Sequence, residues 1–125
     1  MKDSGLSKCR KISLDPIVDD IVAKEKIKEK PSHADYILVC KDVLFIVEEA
    51  NKPKTEDIEQ IDKTKDLIER YRNYFIRVIG SNIPRKIKGI VHGRFDPMVY
   101  RLALSKGYVC AGCEQELASK ILEVV

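Results

Sequence analysis

An α/β fold, with helices laid against a mixed β-sheet, is the fold class that the sequence predicts. Two short runs, Tyr36–Cys40 and Val43–Val47, are apolar at nearly every position and rich in β-branched residues. Strands of that kind are buried on both faces, which requires helices to cover the sheet. Segments with apolar residues at helical spacing lie before and after them, and the length of 125 residues suits one domain, 1–125, with a single core.

Taken in order, residues 1–13 are polar and basic and read as a loose arm. Asp15-Pro16 opens a helix over 15–29, with Pro where its missing N–H costs little. Leu14, Ile17, Val18, Ile21 and Val22 form its apolar stripe, and Pro31 stops it. The two apolar runs follow as a hairpin joined by Lys41-Asp42. Asn51-Lys52-Pro53-Lys54 is a turn, and Thr55 is placed to cap a helix over 56–74 whose buried stripe is Ile58, Ile61, Leu67, Ile68, Tyr71 and Phe75. Glu56, Asp57 and Glu59 put negative charge on its positive end. Gly80-Ser81-Asn82-Ile83-Pro84 breaks the chain before a third strand, Ile87–His92. Asp96-Pro97 starts a helix that ends at Lys106-Gly107. A fourth strand at Tyr108–Cys110 and a helix from Glu114 to Val125 complete the order α-β-β-α-β-α-β-α.

Charge is unevenly placed. Net charge is +3, yet from Arg70 to Lys106 nine Lys or Arg face one acid, Asp96, so that segment carries +8 and the remainder −5. Such asymmetry points to a face for a polyanion, with Lys54, Arg70, Arg72, Arg85, Lys86, Lys88 and Arg94 as its contact residues. No apolar stretch reaches the roughly 18 residues of a spanning helix, and the first residues lack the apolar block of a secretory signal. A cytoplasmic protein with no membrane partner is expected. Abundant Lys, Glu and Ile with only Gln60 and Gln115 as glutamines is a composition similar to that of hyperthermophile, including archaeal, proteins.

The chemistry concentrates between Ala34 and Lys54. Asp35 begins the first hairpin strand, and Glu48 and Glu49 end the second, so antiparallel pairing sets them side by side. Carboxylates gathered at one end of a sheet supply the oxygen ligands that Mg²⁺ or Mn²⁺ takes, and such a cation polarises a phosphodiester. This pattern, an Asp on one strand and a Glu about a dozen residues later on its neighbour, resembles the PD-(D/E)XK nuclease superfamily, which includes archaeal Holliday-junction resolvases and RecB-type nucleases. The resemblance covers about residues 14–93 and implies a restriction-endonuclease-like core. It implies a metal-dependent DNA endonuclease acting on duplex or branched DNA, with Asp35 and Glu49 as metal ligands and Asp35, Glu49, Lys52 and Gln60 as the catalytic set. Gln60 corresponds to the supporting Gln of RecB-type members. The lysine expected two positions after the Glu is replaced, by Ala50 counting from Glu48 and by Asn51 counting from Glu49. Glu49 is preferred because Asn51 then shares its face, and Lys52 supplies the cation; an unbroken two-residue hairpin would instead pair Asp35 with Glu48, so the preference requires a bulge. A chain this small that cuts both strands is expected to act as a homodimer.

Two further readings come from different classes. One is a non-catalytic nucleic-acid-binding or assembly module on the same fold. The other is a thiol-redox protein built on Cys110-Ala111-Gly112-Cys113, whose C-x-x-C precedes a helix. For that motif a structural pair, either free or closed as a disulfide, is the expectation, with zinc as the alternative, although Cys9, Cys40, His33 and His92 lie at irregular separations. His33 and His92 read as loop histidines, and Glu25 and Glu29 as members of an exposed ion-pair face.

Overall fold

The computed structural model describes residues 9–124. The loose arm expected over residues 1–13 lies for its first eight residues outside the described residues and is corrected for Arg10–Ser13, an edge strand, β1, leading directly into α1 (Leu14–Glu25). Lys26 then takes a left-handed conformation (φ 54°) and ends the helix four residues before the expected stop. β2 (Tyr36–Val39) and β3 (Val43–Glu49) form the hairpin. The long helix divides into α2 (Thr55–Arg70) and α3 (Arg72–Ile79) because Tyr71 leaves helical geometry between them. β4 (Lys86–His92), α4 (Pro97–Ser105), β5 (Val109–Ala111) and α5 (Glu114–Val124) follow. Thr55 is the first helical residue, not the cap; Asp57 secures that turn instead, its Oδ2 accepting the Lys54 N–H at 2.7 Å.

The sheet runs β1-β2-β3-β4-β5, antiparallel over the first three strands and parallel over the last three. Residues Val43 to Glu48 are all buried, as their near-continuous apolar character requires. Leu44 and Ile46 face a cluster built from α1, α2, α3 and α4, including Ile17, Ile58, Ile68 and Phe75. Val43, Phe45 and Val47 face a smaller cluster that is closed by Leu117 and Ile121 of α5. Alternation along β3 thus assigns each residue to one layer or the other. Glu48 falls on the four-helix face and Glu49 on the α5 face.

The disulfide falls on the other pair of cysteines. Cys9 and Cys40 are bonded, tying the start of β1 to the β2–β3 turn, whereas Cys110 is a buried and Cys113 an exposed free thiol. Cys110 lies on β5 facing the core, so it turns away from the position of its partner at the helix start. With the bonded cysteines 31 positions apart in sequence, the chain-entropy relation gives about 3–4 kcal/mol for the cross-link. Cys40→Ser is therefore expected to lower the unfolding free energy by about that amount in urea titrations, and reductant should bring the wild type to the same midpoint.

Candidate functional site

Hairpin pairing is continuous from Tyr36–Val47 to Val39–Leu44 and closes with Cys40 N–H donating to Val43 O at 2.9 Å across Lys41-Asp42. No extra residue lies between those pairs. Beyond Tyr36–Val47 the register shifts: Asp35 N–H donates at 3.1 Å to Val47 O, the residue already paired with Tyr36, so Asp35 and Tyr36 both oppose Val47 as in a β-bulge. Glu49, the expected ligand, meets Asp35 through its main chain. Its backbone N–H donates to Asp35 Oδ2 at 2.7 Å, but its carboxylate is on the α5 face. There Glu49 Oε2 accepts from the Tyr36 hydroxyl at 3.3 Å and lies 3.1 Å from His92 Nδ1.

Glu48 is 7% exposed. Burial, then the neighbouring Asp35 carboxylate, then Asp57 push its pKa up to about 9, so the metal-free protein holds this carboxyl protonated at neutral pH. Its Oε1 has no hydrogen-bond partner, and neither does Gln60 Oε1. Asp57, Gln60 and Thr64 follow one another along one face of α2 at helical spacing. Thr64 fixes that face against the Asp35 segment: its Oγ1 accepts the Ala34 N–H and donates to Gln60 O, both at 2.7 Å. Gln60 accordingly lies between Asp57, which meets Glu48, and Thr64, which meets Ala34. The site so assembled is Asp35, Glu48, Asp57 and Gln60. In the sequence Asp57 reads only as a charge on the helix dipole, although its three-residue spacing from Gln60 marks it as a neighbour on that face.

Among the described residues no three of His, Cys, Asp and Glu are gathered into a ready metal cage. Two buried acceptor oxygens with no donor, one on β3 and one on the helix packed against it, nevertheless suit a hard cation, which takes oxygen ligands from carboxylates and amides. Ala50, half-buried, stands two residues after Glu48; Lys52 and Lys54 are exposed on the following turn. Asn51 lines a cleft on the α5 side with Glu49, His92 and Arg94. His33 is occupied elsewhere, its Nε2 3.1 Å from Asp15 Oδ1.

The basic residues do not form one surface reaching the acids. β4 begins at Lys86, beside Val43, and ends at His92, beside Glu49. Its six steps separate Arg85 and Lys86 from the acidic rim by about 20 Å. Arg94 lies just past that rim, Lys54 at the start of α2, and Lys88 shares the α5 face with Phe45. Arg70 and Arg72 lie at the other end of α2, about 15 Å from Gln60. A strand and a helix that cross the molecule carry sequence neighbours to opposite rims. For the C-x-x-C, burial pushes the Cys110 thiol up to about 11, the reverse of an activated nucleophile.

The sequence matches no family model, and it matches neither a curated protein nor a solved structure.

Proposed function

We propose that the protein is a metal-dependent phosphodiesterase of the nuclease-like type, acting on DNA through Asp35 and Glu48, with Gln60 and Asp57 in support. The observation that carries this reading is the buried, unpartnered Glu48 Oε1 beside Asp35, with a second unpartnered oxygen on Gln60. Asp35, Glu48 and the Gln60 carbonyl would hold Mg²⁺ or Mn²⁺, which polarises the phosphodiester and lowers the pKa of bound water. Glu48 must release its proton to solvent to serve as a ligand, so metal binding would strengthen as pH rises. The Glu49 N–H orients the Asp35 carboxylate by holding Oδ2. Lys52 and Lys54 lie at the mouth, where a fixed positive charge favours a phosphate.

The test combines a Mn²⁺ titration, followed by thermal shift, with cleavage of duplex, single-stranded and branched DNA. Mn²⁺ should raise the Tm of the wild type and of Glu49→Gln but not of Asp35→Ala or Glu48→Gln. Cleavage should fall about a hundredfold or more in the latter two, the scale on which an electrostatic contribution of this kind is lost. Loss of metal response in Glu49→Gln with retention in Glu48→Gln would make Glu49 the ligand and Glu48 a bystander. A second reading, the binding module without catalysis, is favoured by Ala50 in place of the lysine. DNA binding by a wild type that neither responds to Mn²⁺ nor cleaves would establish it.

A further inference from the structure

At the far end of α2, a cleft of about 580 Å³ opens between α1 and α3, with Lys24, Arg70, Arg72 and Arg77 on its walls and Glu25 as the acid among its lining residues. Lys24 is paired with Asp20 at 3.2 Å, but no carboxylate lies within ion-pair distance of Arg70, Arg72 or Arg77 among the described residues. Tyr74 organises the mouth. Its hydroxyl donates to Asp20, and its ring centroid lies 5.1 Å from Lys24 Nζ and 5.8 Å from Arg77 Cζ. Three exposed arginines around one concavity, none of them ion-paired and outnumbering the acid Glu25, repel one another, and an anion relieves that repulsion.

Arg70 also lines a second groove of about 200 Å³, together with Pro31, Ser32, Lys63, Leu67 and one acid, Asp66. This groove runs along α2 toward the point where Ala34 bonds Thr64, one turn from Gln60. We propose that these two grooves are a phosphate track: a nucleic-acid strand lies along α2, anchored at Arg70, Arg72 and Arg77, and leads to the Asp35–Glu48 pair. The lead to that pair rests on the reading of it given above; the anchoring cleft does not. Gln60 and Arg70 are ten residues apart, about 15 Å along the helix, or about four nucleotides at the 3.4 Å spacing of a stacked strand.

An extended ligand fits better than a compact polyphosphate, because the cations line two successive open grooves joined at Arg70, not one enclosed pocket. A membrane surface fits less well. Basic membrane-binding faces carry exposed apolar side chains beside the charge, whereas the large exposed apolar residues here, Met98, Tyr100, Leu104 and Leu122, lie on α4 and α5.

The experiment is fluorescence anisotropy with a labelled single-stranded oligonucleotide of about twelve nucleotides, in EDTA, over a salt series. Arg70→Ala/Arg77→Ala should weaken binding about tenfold or more and reduce the log–log salt slope by about 1.4, that is about 0.7 for each phosphate no longer neutralised. Lys41→Ala/Arg101→Ala, which removes the same charge elsewhere, should stay within about twofold. Equal weakening in both double variants, or none in the arginine pair, overturns the proposal. So does binding to phosphatidylserine vesicles, or to tripolyphosphate in place of the oligonucleotide, that depends on the same two arginines. The two readings fail separately. Metal-dependent cleavage lost in Glu48→Gln with no effect of the arginine pair removes the track alone; arginine-dependent binding without cleavage removes the catalytic reading alone.

Discussion

In metal-free solution at pH 8, Glu48→Gln is expected to be more stable than the wild type, by about 2 kcal/mol or more, the equivalent of one to two pKa units. The cause is the proton on Glu48. Its pKa is raised from 4.5 to about 9 in the fold, so between those values the native state binds a proton that the unfolded chain has released. Stability then falls as pH rises across that window, by up to about 1.4 kcal/mol per unit, and levels off above it. Glutamine keeps the shape and the donor of the protonated acid but cannot ionise, so the variant loses the slope. Acid works in the opposite direction elsewhere. The Lys106 ammonium 2.7 Å away and the Tyr108 hydroxyl hold Asp62 below its usual range, so its contribution is present above the unfolded pKa and is lost as pH falls through the folded one. Urea midpoints in EDTA from pH 5 to 9 measure the difference. Parallel curves for the two proteins would mean that Glu48 is ionised in the fold and that its surroundings stabilise the charge. Adding Mn²⁺ should reverse the order, because only the wild type gains a ligand.

How much of this was legible in the sequence depends on the residue. The hairpin was, because Val43–Val47 is apolar on both faces and only a covered strand tolerates that. The position of Asp35 against the end of β3 followed from the two-residue turn. The choice between Glu48 and Glu49 did not follow from motif spacing, because Asn51 was an attractive substitute for the missing lysine. Side-chain alternation separates the two: Ile46 and Glu48 share one face, Val47 and Glu49 the other, and the register shift at Asp35 lies beyond what turn length alone predicts. β1 was hidden because Arg10-Lys11-Ile12-Ser13 is an edge strand whose charged residues give no apolar run, a composition that also guards an edge against pairing. The break at Tyr71 was hidden because the apolar stripe continues through it, with Leu67, Ile68 and Phe75 all buried. The basic segment misled because nine charges close in sequence are spread over a helix pair and a strand that cross the molecule. Cys9 and Cys40 carried no local signal at all, since their proximity is a product of β1 pairing with β2.

Gly93→Ala is expected to be the most damaging glycine substitution, costing about 3–5 kcal/mol, at or beyond the upper end of overpacking changes. A Cβ built at Gly93 lies 1.9 Å from the backbone oxygen of Ala50 and 2.8 Å from Cδ and Cγ of Pro53. Neither neighbour yields easily. Ala50 N–H donates to His92 O at 3.0 Å, Arg94 N–H to Asn51 O at 3.0 Å, and Gly93 N–H to Ala111 O at 2.9 Å, so the loops after β3, β4 and β5 are tied around this residue. A methyl group here must push the Ala50–Pro53 turn outward and break at least one of these bonds, each about 1 kcal/mol net and more if a buried group is left unpaired. Gly89 is the instructive contrast. Its Cβ would meet Ile61 Cγ2 at 2.7 Å and Tyr108 Cδ1 at 2.8 Å, side-chain atoms that can shift, so Gly89→Ala should cost about 1–3 kcal/mol. Gly107 has φ +80° and open space around it, leaving only backbone strain of about 1 kcal/mol. Urea midpoints should therefore rank Gly93→Ala below Gly89→Ala and both below Gly107→Ala. The displaced turn carries the end of β3 with it, so a folded fraction of Gly93→Ala should also lose the Mn²⁺ thermal shift while keeping oligonucleotide binding at the distant arginine cleft. A Gly93→Ala protein within about 1 kcal/mol of wild type would show that the turn after β3 is free to move, and that Asp35 and Glu48 are not held in the register from which their chemistry is argued.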